Sequence, residues 1–401
     1  MTPTADYVPV PYADFLYFGL ALYVLLPTLV VRLVFRFSQT WILVATVFML
    51  ALGLQSKLIV AQTWVVYEVG IMAAYAVYEY LLALTFLRLR RRTGNRWVFY
   101  TALALGLAPL VAAKLLPRFS PDSELTFRVF GISYVTFRSL DVIFGIQDRL
   151  IVGLPPAQYL AYLFFFPTIS SGPIDRYRRF ADDWKRDHSR ADFVVDLDGA
   201  VHRIFTGFCY KFILGALIYR YWLEPLKEFA GPGAAVSYMY AYSLYLFFDF
   251  AGYSAFAIGF SYLLGIHTPE NFNRPFLAQN IRDFWNRWHI TLSFWLRDHV
   301  YMRFVMAATK GRWFKGRFTA SHIGFFLSFG LMGLWHGIEP HYIIYGLYHA
   351  CLLVGYDVFS RWNKQRKLWG DGPLWRAASV LLTVHAVCFG FLIFSGYLDG
   401  G

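Results

Sequence analysis

A histidine at the end of an apolar run is the strongest candidate for a functional residue in this sequence. His336 closes the run GLMGLWHGI, inside a stretch from Ser321 to Ile338 that contains no Asp, Glu, Lys or Arg. An ionisable group in such a stretch is a candidate functional group, and a neutral imidazole there can act as a general base. The alternative is a core histidine whose ring is satisfied by a carbonyl. One thin face of the same stretch carries Gly330, Gly333 and Gly337 and is predicted to permit close approach by another helix or by a substrate.

A second histidine lies in FWNRWHITLSFWLRDHVYMRF, residues 284–304, a segment rich in Trp and Arg. On one helix its polar residues would recur every three or four positions and form a single stripe: Arg282, Asn286, His289, Ser293 and Arg297. Such a stripe is too polar for lipid, so we expect it to face a solvated funnel that Trp285 and Trp335 also line. The alternative is an interfacial helix whose arginines extend to the lipid head groups.

Isolated charges in apolar runs form a weaker set of candidates. Asp249 is the one formal charge between Ala234 and Ile266. We expect it to lie near the funnel and to pair with an arginine, with proton relay as the alternative. Arg138 and Asp141 are three residues apart and are predicted to pair within one helix.

Other kinds of chemistry are not expected. A metal site is not expected, because the available side chains lack the HExxH spacing and Pro340 interrupts the helix that would carry them. These side chains are His336, Glu339, His341 and His349. The chain has no GxSxG, Walker or GxGxxG motif, which argues against serine hydrolases, NTPases and dinucleotide enzymes. The cysteines are scattered in mostly apolar surroundings and are expected to be small buried hydrophobes: Cys209, Cys351 and Cys388.

The elements that hold these residues are predicted to be membrane helices. The 401 residues are 58% hydrophobic, 20% aromatic and 15% charged, whereas a typical soluble domain is about 25% charged. The net charge is +12, but most basic residues fall in loops between apolar runs, where the positive-inside rule and anionic lipids account for them. We therefore predict an all-α polytopic membrane protein that binds no nucleic acid.

Apolar stretches of about 20 residues, the length needed to cross a bilayer, predict ten or eleven transmembrane helices in one domain over residues 1–401. They lie near 15–34, 41–60, 64–87, 97–116, 126–148, 201–222, 234–264, 321–338, 341–359 and 375–397. The stretch 201–222 is the least regular, because it contains three basic residues. The segment YLAYLFFFPTIS, residues 159–170, is too short to span and is predicted to be re-entrant or interfacial, which implies a central funnel.

Charge in the first loops predicts the orientation of the chain. No Lys or Arg precedes Arg32, so the first span lacks the basic region of a signal peptide. RLRRRTGNR, residues 88–96, is the strongest cytoplasmic marker. The N-terminus is therefore predicted to be outside the cell, and three crossings from it place this segment inside.

Five segments, in this order, resemble the membrane-bound O-acyltransferases. They are FPTISSGPIDRYRRF (166–180), FFDFAGYSAFAIGFSYLLGI (247–266), PENFNRPF (269–276), the segment around His289, and LWHG (334–337). Together they cover residues 160–350, about half of the chain. The variants TISSGPIDRYRRF and SFWLRDHVYMRF look most like the branch that attaches D-alanine to teichoic acids of Gram-positive bacteria.

The resemblance implies a function, a fold and partners. The residue matching His336 is the proposed catalytic residue of the family, and the position of His289 is the second hallmark. In this branch the donor is D-alanine held as a thioester on the phosphopantetheine arm of a small acidic cytoplasmic carrier protein, and the final acceptor is lipoteichoic acid outside. The family fold, a cell-membrane location, no tightly bound cofactor and a small membrane partner peptide are further expectations. No nucleophile stands out, which fits direct attack by an acceptor hydroxyl.

A basic and apolar segment, VYMRFVMAATKGRWFKGRF at residues 300–318, is the predicted docking site for the carrier protein. Its methionines can adapt to a contact and its cations suit an acidic partner. The residues expected to dock are Met302, Val305, Met306, Arg312, Lys315 and Arg317. The alternative is a positive-inside loop that binds anionic lipid.

Two other functions stay open at this point. One is an acyltransferase of another branch, which would use an acetyl or acyl donor on polysaccharide or lipid. The other is a proton-coupled transporter or flippase, in which Asp249, Arg138 and the histidines relay protons.

Overall fold

A computed structural model of the chain describes residues 11–35, 38–58, 65–119, 131–187 and 189–399. Within these ranges the regular secondary structure is helical and contains no strand. The predicted class, an all-α polytopic membrane protein, is confirmed.

The helices follow the predicted apolar stretches and add short helices between them. In chain order they are α1 (Phe15–Val34), α2 (Thr40–Leu58), α3 (Val65–Arg92), α4 (Arg96–Phe119), α5 (Ile132–Gln147), α6 (Pro156–Phe164), α7 (Tyr177–Lys185), α8 (Arg190–Leu223), α9 (Pro232–Leu263), α10 (Ile281–Trp285), α11 (Ile290–Leu296), α12 (Met302–Lys310), α13 (Thr319–His336), α14 (Pro340–Arg366) and α15 (Pro373–Phe394). Two π-helical stretches, Cys209–Gly215 and Tyr219–Leu223, lie within α8, and a third, Arg297–Tyr301, joins α11 to α12.

Seven of the described helices are long and apolar enough to cross a membrane. They are α1, α8, α9, α14, α15, and the parts Gly70–Arg92 of α3 and Arg96–Leu116 of α4. The three other predicted crossings also form helices, namely α2, α5 and α13. The end of the stretch 41–60, the start of 64–87 and the start of 126–148 lie outside the described residues.

The segment predicted to be re-entrant is a short buried element. Helix α6 has nine residues, too few to span a bilayer, and a 3₁₀ turn, Phe166–Thr168, follows it. Proline begins the helix at Pro156 and recurs at Pro167 in the turn. Its position in the membrane stays a prediction.

The chain divides into two compact units. Unit 1 contains the residues up to Thr206 together with Tyr253–Pro269, and unit 2 contains Gly207–Gly252 together with Glu270–Gly401. Helices α8 and α9 contribute residues to both. The prediction of one domain over the whole chain stays a prediction.

In unit 1 a network of ion pairs surrounds His267, which follows α9. Its Nε2 atom lies 2.7 Å from Oδ1 of Asp196 on α8, and its Nδ1 atom lies 3.6 Å from Oδ1 of Asp183 on α7. Asp196 also pairs with Arg32 of α1 at 3.3 Å, and Asp183 with Arg179 at 2.7 Å. The carboxylates raise the pKa of His267 to about 9. These ion pairs thus connect helices α1, α7 and α8 with the loop that follows α9.

Arg138 and Asp141 of α5 belong to the same unit but bind different partners. Arg138 is buried and donates to the carbonyls of Tyr162 and Leu163, both at 3.1 Å. Asp141 accepts from the Arg176 guanidinium at 2.8 Å. The predicted pair within one helix is therefore wrong, because each side chain satisfies a different neighbouring segment.

In unit 2 the antiparallel helices α13 and α14 approach closely at glycines. A Cβ atom at Gly333 would collide with the carbonyl of Tyr342, and one at Gly346 with the carbonyl of Phe329. The predicted close approach is confirmed at Gly333. At Gly330 a Cβ would meet nothing within 4 Å, so no described helix approaches there, and the approach of a substrate stays a prediction.

Candidate active site

A sharp turn places His289. Helix α10 begins after Asn280, whose side chain accepts from the backbone N–H of Asp283 at 2.9 Å, and it ends after five residues. His289 has φ 41° and ψ 52°, the left-handed region, and α11 starts at the next residue. The predicted continuous helix with one polar stripe from Arg282 to Arg297 is therefore wrong.

The segment before α10 holds this turn in place. The backbone N–H of Asn273 donates to the carbonyl of Arg287 at 2.9 Å, and that of Ile290 donates to the carbonyl of Asn271 at 3.0 Å. The buried Asn271 side chain also accepts from the Thr291 hydroxyl at 2.6 Å. A left-handed conformation is costly for a residue with a Cβ atom. Contacts on both sides of His289 offset that cost.

His336 is the last residue of α13. Gly337 has an extended backbone (φ −173°, ψ 171°) and ends the helix. Pro340 then begins α14 at its first turn, where proline is well tolerated. The predicted interruption at Pro340 is confirmed, and it leaves His336 at a turn between two packed helices.

The two histidines line the same small cavity of unit 2. Its volume is about 50 Å³, room for roughly three or four water-sized groups. The residues that line it besides the histidines are apolar or aromatic: Leu246, Phe250, Trp285, Trp288, Leu292, Met332, Tyr345, Phe391 and Phe394. No charged side chain occurs among these described lining residues. The cavity can therefore shelter a reaction from water and ions.

Aromatic rings fix the orientation of both imidazoles. The Phe250 ring meets that of His289 edge to face, with centroids 4.8 Å apart, and Phe394 meets His336 in the same way at 4.9 Å. Trp335 lies 4.7 Å from His336 and 6.5 Å from His289, centroid to centroid. The indole of Trp335 is therefore next to His336 and further from His289, and its role as a funnel residue stays a prediction.

His289 is neutral in this environment. Only 4% of the residue is exposed, and within the described part of the chain its Nε2 atom has no hydrogen-bond partner. The residue lies outside the seven candidate spans, and burial, followed by the neighbouring His336, lowers its pKa to about 3. Nε2 is left available to a hydroxyl or carbonyl group of a bound substrate.

The two predicted funnel arginines lie away from the cavity lining. Arg282 is exposed and pairs with Asp357 at 3.3 Å. Arg297 is exposed as well, pairs with Asp298 at 2.9 Å and covers the ring of Phe294 at 4.1 Å. The broken helix explains their positions, because the turn at 286–289 rotates the residues on either side onto different faces.

Of the remaining predicted funnel residues, the tryptophans lie at or near the cavity and the polar residues lie away from it. Trp285 lines the cavity, and Trp335 packs against His336 with its ring centroid 6.5 Å from that of His289. Asn286 is exposed at the end of α10. The Ser293 hydroxyl donates to the carbonyl of Trp288 at 3.2 Å. Neither of these two polar residues lines the cavity.

Asp249 pairs with a lysine. Its carboxylate accepts from the ammonium group of Lys211, which lies in the π-helical stretch Cys209–Gly215 of α8. The predicted arginine partner is therefore wrong. A Cβ at Gly252 would lie 2.8 Å from the Cβ of Lys211, so this glycine lets the two helices approach closely enough for the pair.

Several residues of the site had no role in the sequence analysis. Asn271 was part of a recognised motif, PENFNRPF, but only the structure shows that it holds the His289 turn. Phe250, Tyr345 and Phe394 come from three different helices. In the sequence they look like other aromatic residues of apolar runs, so spacing alone contained no signal for them.

Comparison with known proteins gives a consistent result. Residues 120–395 match the MBOAT, membrane-bound O-acyltransferase family. A teichoic acid D-alanyltransferase of Bacillus subtilis (strain 168) is 43% identical over 397 residues, which cover 96% of this chain and 98% of the relative. Another, from Lacticaseibacillus rhamnosus, is 42% identical and covers 82% and 84%. A probable alginate O-acetylase of Pseudomonas syringae pv. tomato is 34% identical over 56% of this chain and 42% of its own length.

Proposed function

Since the chain belongs to the membrane-bound O-acyltransferase family and is a multi-pass membrane acyltransferase, we propose that it transfers D-alanine from a carrier protein towards lipoteichoic acid, with His336 as general base. One observation carries the proposal: His336 and His289 share a single aromatic cavity that contains no charge among its lining residues. The relatives named teichoic acid D-alanyltransferase support the choice of D-alanine over an acetyl group.

The reaction needs one proton acceptor and no covalent enzyme intermediate. The acceptor hydroxyl gives its proton to an imidazole nitrogen of His336 while its oxygen attacks the thioester carbonyl. The new C–O bond forms and the C–S bond breaks. The phosphopantetheine thiolate leaves and takes the proton from the imidazolium as the thiol. A positioned histidine base contributes about 10²- to 10⁴-fold in such a step.

His289 and the aromatic walls support that step. A neutral imidazole can donate a hydrogen bond to the thioester oxygen or accept one from the incoming hydroxyl, and the edge-to-face contact with Phe250 orients the ring. The rings around it exclude water, which strengthens each electrostatic interaction in the cavity. In this proposal His289 is the second residue that contacts substrate.

The donor binds as the thioester of an acidic carrier protein. Met302 and Met306 lie one turn apart on α12 and are 41% and 56% exposed, while Val305 is half-buried against α13. The following loop exposes three cations: Arg312, Lys315 and Arg317. Apolar and basic groups side by side suit an acidic helical partner.

Charge reversal tests the docking surface. We expect the variant R312E/K315E/R317E to lose most of its carrier binding in a pull-down at low salt. A matched R88E/R90E/R91E variant, altered in the last turns of α3, should retain it. Equal binding by the native chain and the loop variant at 312–317 would rule out docking at this surface.

The acceptor and the orientation of the chain belong to the same proposal. The acceptor lies outside, the N-terminus is outside, and the basic segment 88–96, where α3 ends and α4 begins, is cytoplasmic. A cysteine introduced at Thr93, in a variant without native cysteines, should react with an impermeant maleimide only after permeabilisation. Labelling of intact cells would reverse the orientation. A small membrane partner peptide stays a prediction.

The decisive experiment follows loss of thioester from D-alanyl-loaded carrier in proteoliposomes that contain lipoteichoic acid. We expect native turnover and a loss of at least about 100-fold in His336→Ala, measured at equal folded amounts. The control is His202→Ala, which removes an exposed histidine of α8. Turnover by His336→Ala close to the native rate would exclude this histidine as the base. Turnover with acetyl-CoA but not with the D-alanyl carrier would overturn the choice of donor.

A further inference from the structure

A second, larger cleft of unit 2 has no part in the proposed reaction. It encloses about 980 Å³ between the C-terminal half of α14, the N-terminal half of α15 and residues 279–281. None of the described residues that line it also lines the histidine cavity. The role of this cleft must therefore be considered separately from the proposed reaction.

Three cations line this cleft and one carboxylate accompanies them: Lys364, Lys367, Arg376 and Asp371. All four are exposed, and within the described ranges none of them forms an ion pair. By contrast, Arg361, one turn earlier on α14, binds Asp357 and covers the ring of Phe318 at 3.7 Å. The cleft thus has a net charge of +2, and no ion pair with another described residue neutralises it.

The polar wall of the cleft is built by specific hydrogen bonds. The backbone N–H of Trp369 donates to Oδ1 of Asn363 at 2.8 Å, and the Asn363 amide donates back to the Trp369 carbonyl at 2.8 Å. The Trp369 indole N–H donates to the Ser379 hydroxyl at 2.9 Å. The loop between α14 and α15 is therefore held across the cleft, and its lysine and tryptophan have defined positions.

The cleft lies where two candidate membrane spans end. Helix α14 ends at Arg366 and α15 begins at Pro373, and both are long and apolar enough to cross a membrane. Trp369 lies in this connection and Trp375 in the first turn of α15, with their ring centroids 4.7 Å apart. Tryptophan and basic residues concentrate at the depth of the lipid head groups. The cations are thus placed where head-group phosphates are found.

The side of the cleft towards the middle of the spans is apolar. Phe359 and Leu382 line it and are 38% and 60% exposed. A soluble anion would leave these two side chains uncovered, whereas acyl chains would cover them. The combination of unpaired cations at one end and exposed apolar side chains at the other matches an amphiphile.

We propose that this cleft binds the head group of an anionic phospholipid. Lys364, Lys367 and Arg376 contact the phosphate, Ser360 contacts the glycerol, and the acyl chains follow Phe359 and Leu382. Arginine and lysine are the usual protein partners of phosphate. The lipid is a ligand of the acyltransferase and is distinct from its donor and acceptor.

The test measures lipid binding to the purified full chain. Fluorescent phosphatidylglycerol is titrated into protein held in a neutral detergent, with phosphatidylcholine as the zwitterionic lipid. We expect the native chain to prefer phosphatidylglycerol. The K364Q/K367Q/R376Q variant should bind it about 100-fold more weakly, because each of the three cations close to anionic lipid contributes about a factor of five.

A matched control removes a cation from the same helix end without touching the cleft. Arg366 is exposed, lies in the last turn of α14 and does not line the cleft, so R366Q should bind phosphatidylglycerol like the native chain. Equal binding by the triple variant and R366Q would overturn the proposal. Competition by free glycerol phosphate at the concentration of the lipid would also overturn it, since the cleft would then recognise phosphate without acyl chains.

Discussion

His267 in unit 1 and His289 in unit 2 have opposite environments. His267 contacts the carboxylates of Asp183 and Asp196, which raise its pKa to about 9. His289 contacts the ring of Phe250 and shares an uncharged cavity with His336, and burial lowers its pKa to about 3. The same side chain is therefore a charged structural group in one unit and a neutral, unsatisfied group in the other.

The difference shows how this chain separates stability from reactivity. A buried network whose charges are all paired holds helices together and leaves nothing for a ligand. A buried imidazole without a partner costs stability, about 1–3 kcal/mol, and keeps that interaction for a substrate. The aromatic walls provide packing around His289 and do not consume its hydrogen-bonding capacity.

The largest effect should come from exchanging the two histidines for glutamine. We expect His289→Gln to lower D-alanyl transfer about 100-fold, since it removes an imidazole from the cavity, with little loss of stability. His267→Gln should show the reverse, near-native turnover and lower thermal stability. Turnover and unfolding are measured for both variants in the same detergent. The comparison fails if both variants lose turnover to the same extent.

Next in size is the loss of a shared carboxylate from the ion-pair network. Asp196→Asn removes the carboxylate that pairs with Arg32, whose side chain is 1% exposed. Removing one member of a buried pair costs about 3–5 kcal/mol, which denaturant unfolding can measure. The exposed Asp198, two residues along α8, supplies the control Asp198→Asn. Equal stability of the two variants would remove the network as a support of unit 1.

A smaller effect is expected where the helices beside the histidine cavity depend on close packing. Gly346→Ala places a methyl group against the Phe329 carbonyl and should cost about 1–3 kcal/mol. On the same helix a Cβ at Gly355 meets nothing within 4 Å, so Gly355→Ala should stabilise the chain by up to about 1 kcal/mol. A lower unfolding temperature for Gly346→Ala and a higher one for Gly355→Ala would support the packing argument. A higher unfolding temperature for both variants would contradict it.

The smallest effect is the pH dependence of the network. The folded-state pKa of His267, about 9, is above its ordinary value of 6.5. Its contribution to stability is therefore complete below about pH 6.5 and is lost as the pH rises through 9. Asp183, with its pKa lowered to about 2, remains charged over this window. The stability difference between the native chain and His267→Gln should shrink from pH 6 to pH 9.5. A stability difference that does not change between pH 6 and pH 9.5 would contradict the role of charged His267 in the network.

Much of the fold and part of the site could be predicted because they depend on local patterns. Long apolar runs predicted the helices, Pro340 the break after α13, and Gly333 the close approach of α14. The resemblance to the acyltransferase family is confirmed by the match over residues 120–395. His336 was identified because it is an ionisable residue in an otherwise uncharged apolar stretch.

Predictions failed where an outcome depended on groups distant in sequence. A regular spacing of polar residues suggested a helix through His289, but hydrogen bonds from Asn271 and Asn273 hold a turn there. Asp249 pairs with Lys211, 38 residues earlier in the chain, although an arginine partner was expected. Periodicity describes one segment at a time, so it contains no information on which segment supplies the partner.

The amino-acid sequence by itself determined that this chain is a helical membrane protein of the acyltransferase family with two histidines of interest, because apolar length and motif order are properties of the sequence. Only the tertiary structure decided that His289 and His336 line one cavity, that the predicted polar stripe is broken, and that Lys364, Lys367 and Arg376 share a second cleft. These features depend on side chains from separate helices, and packing of those helices brings them together.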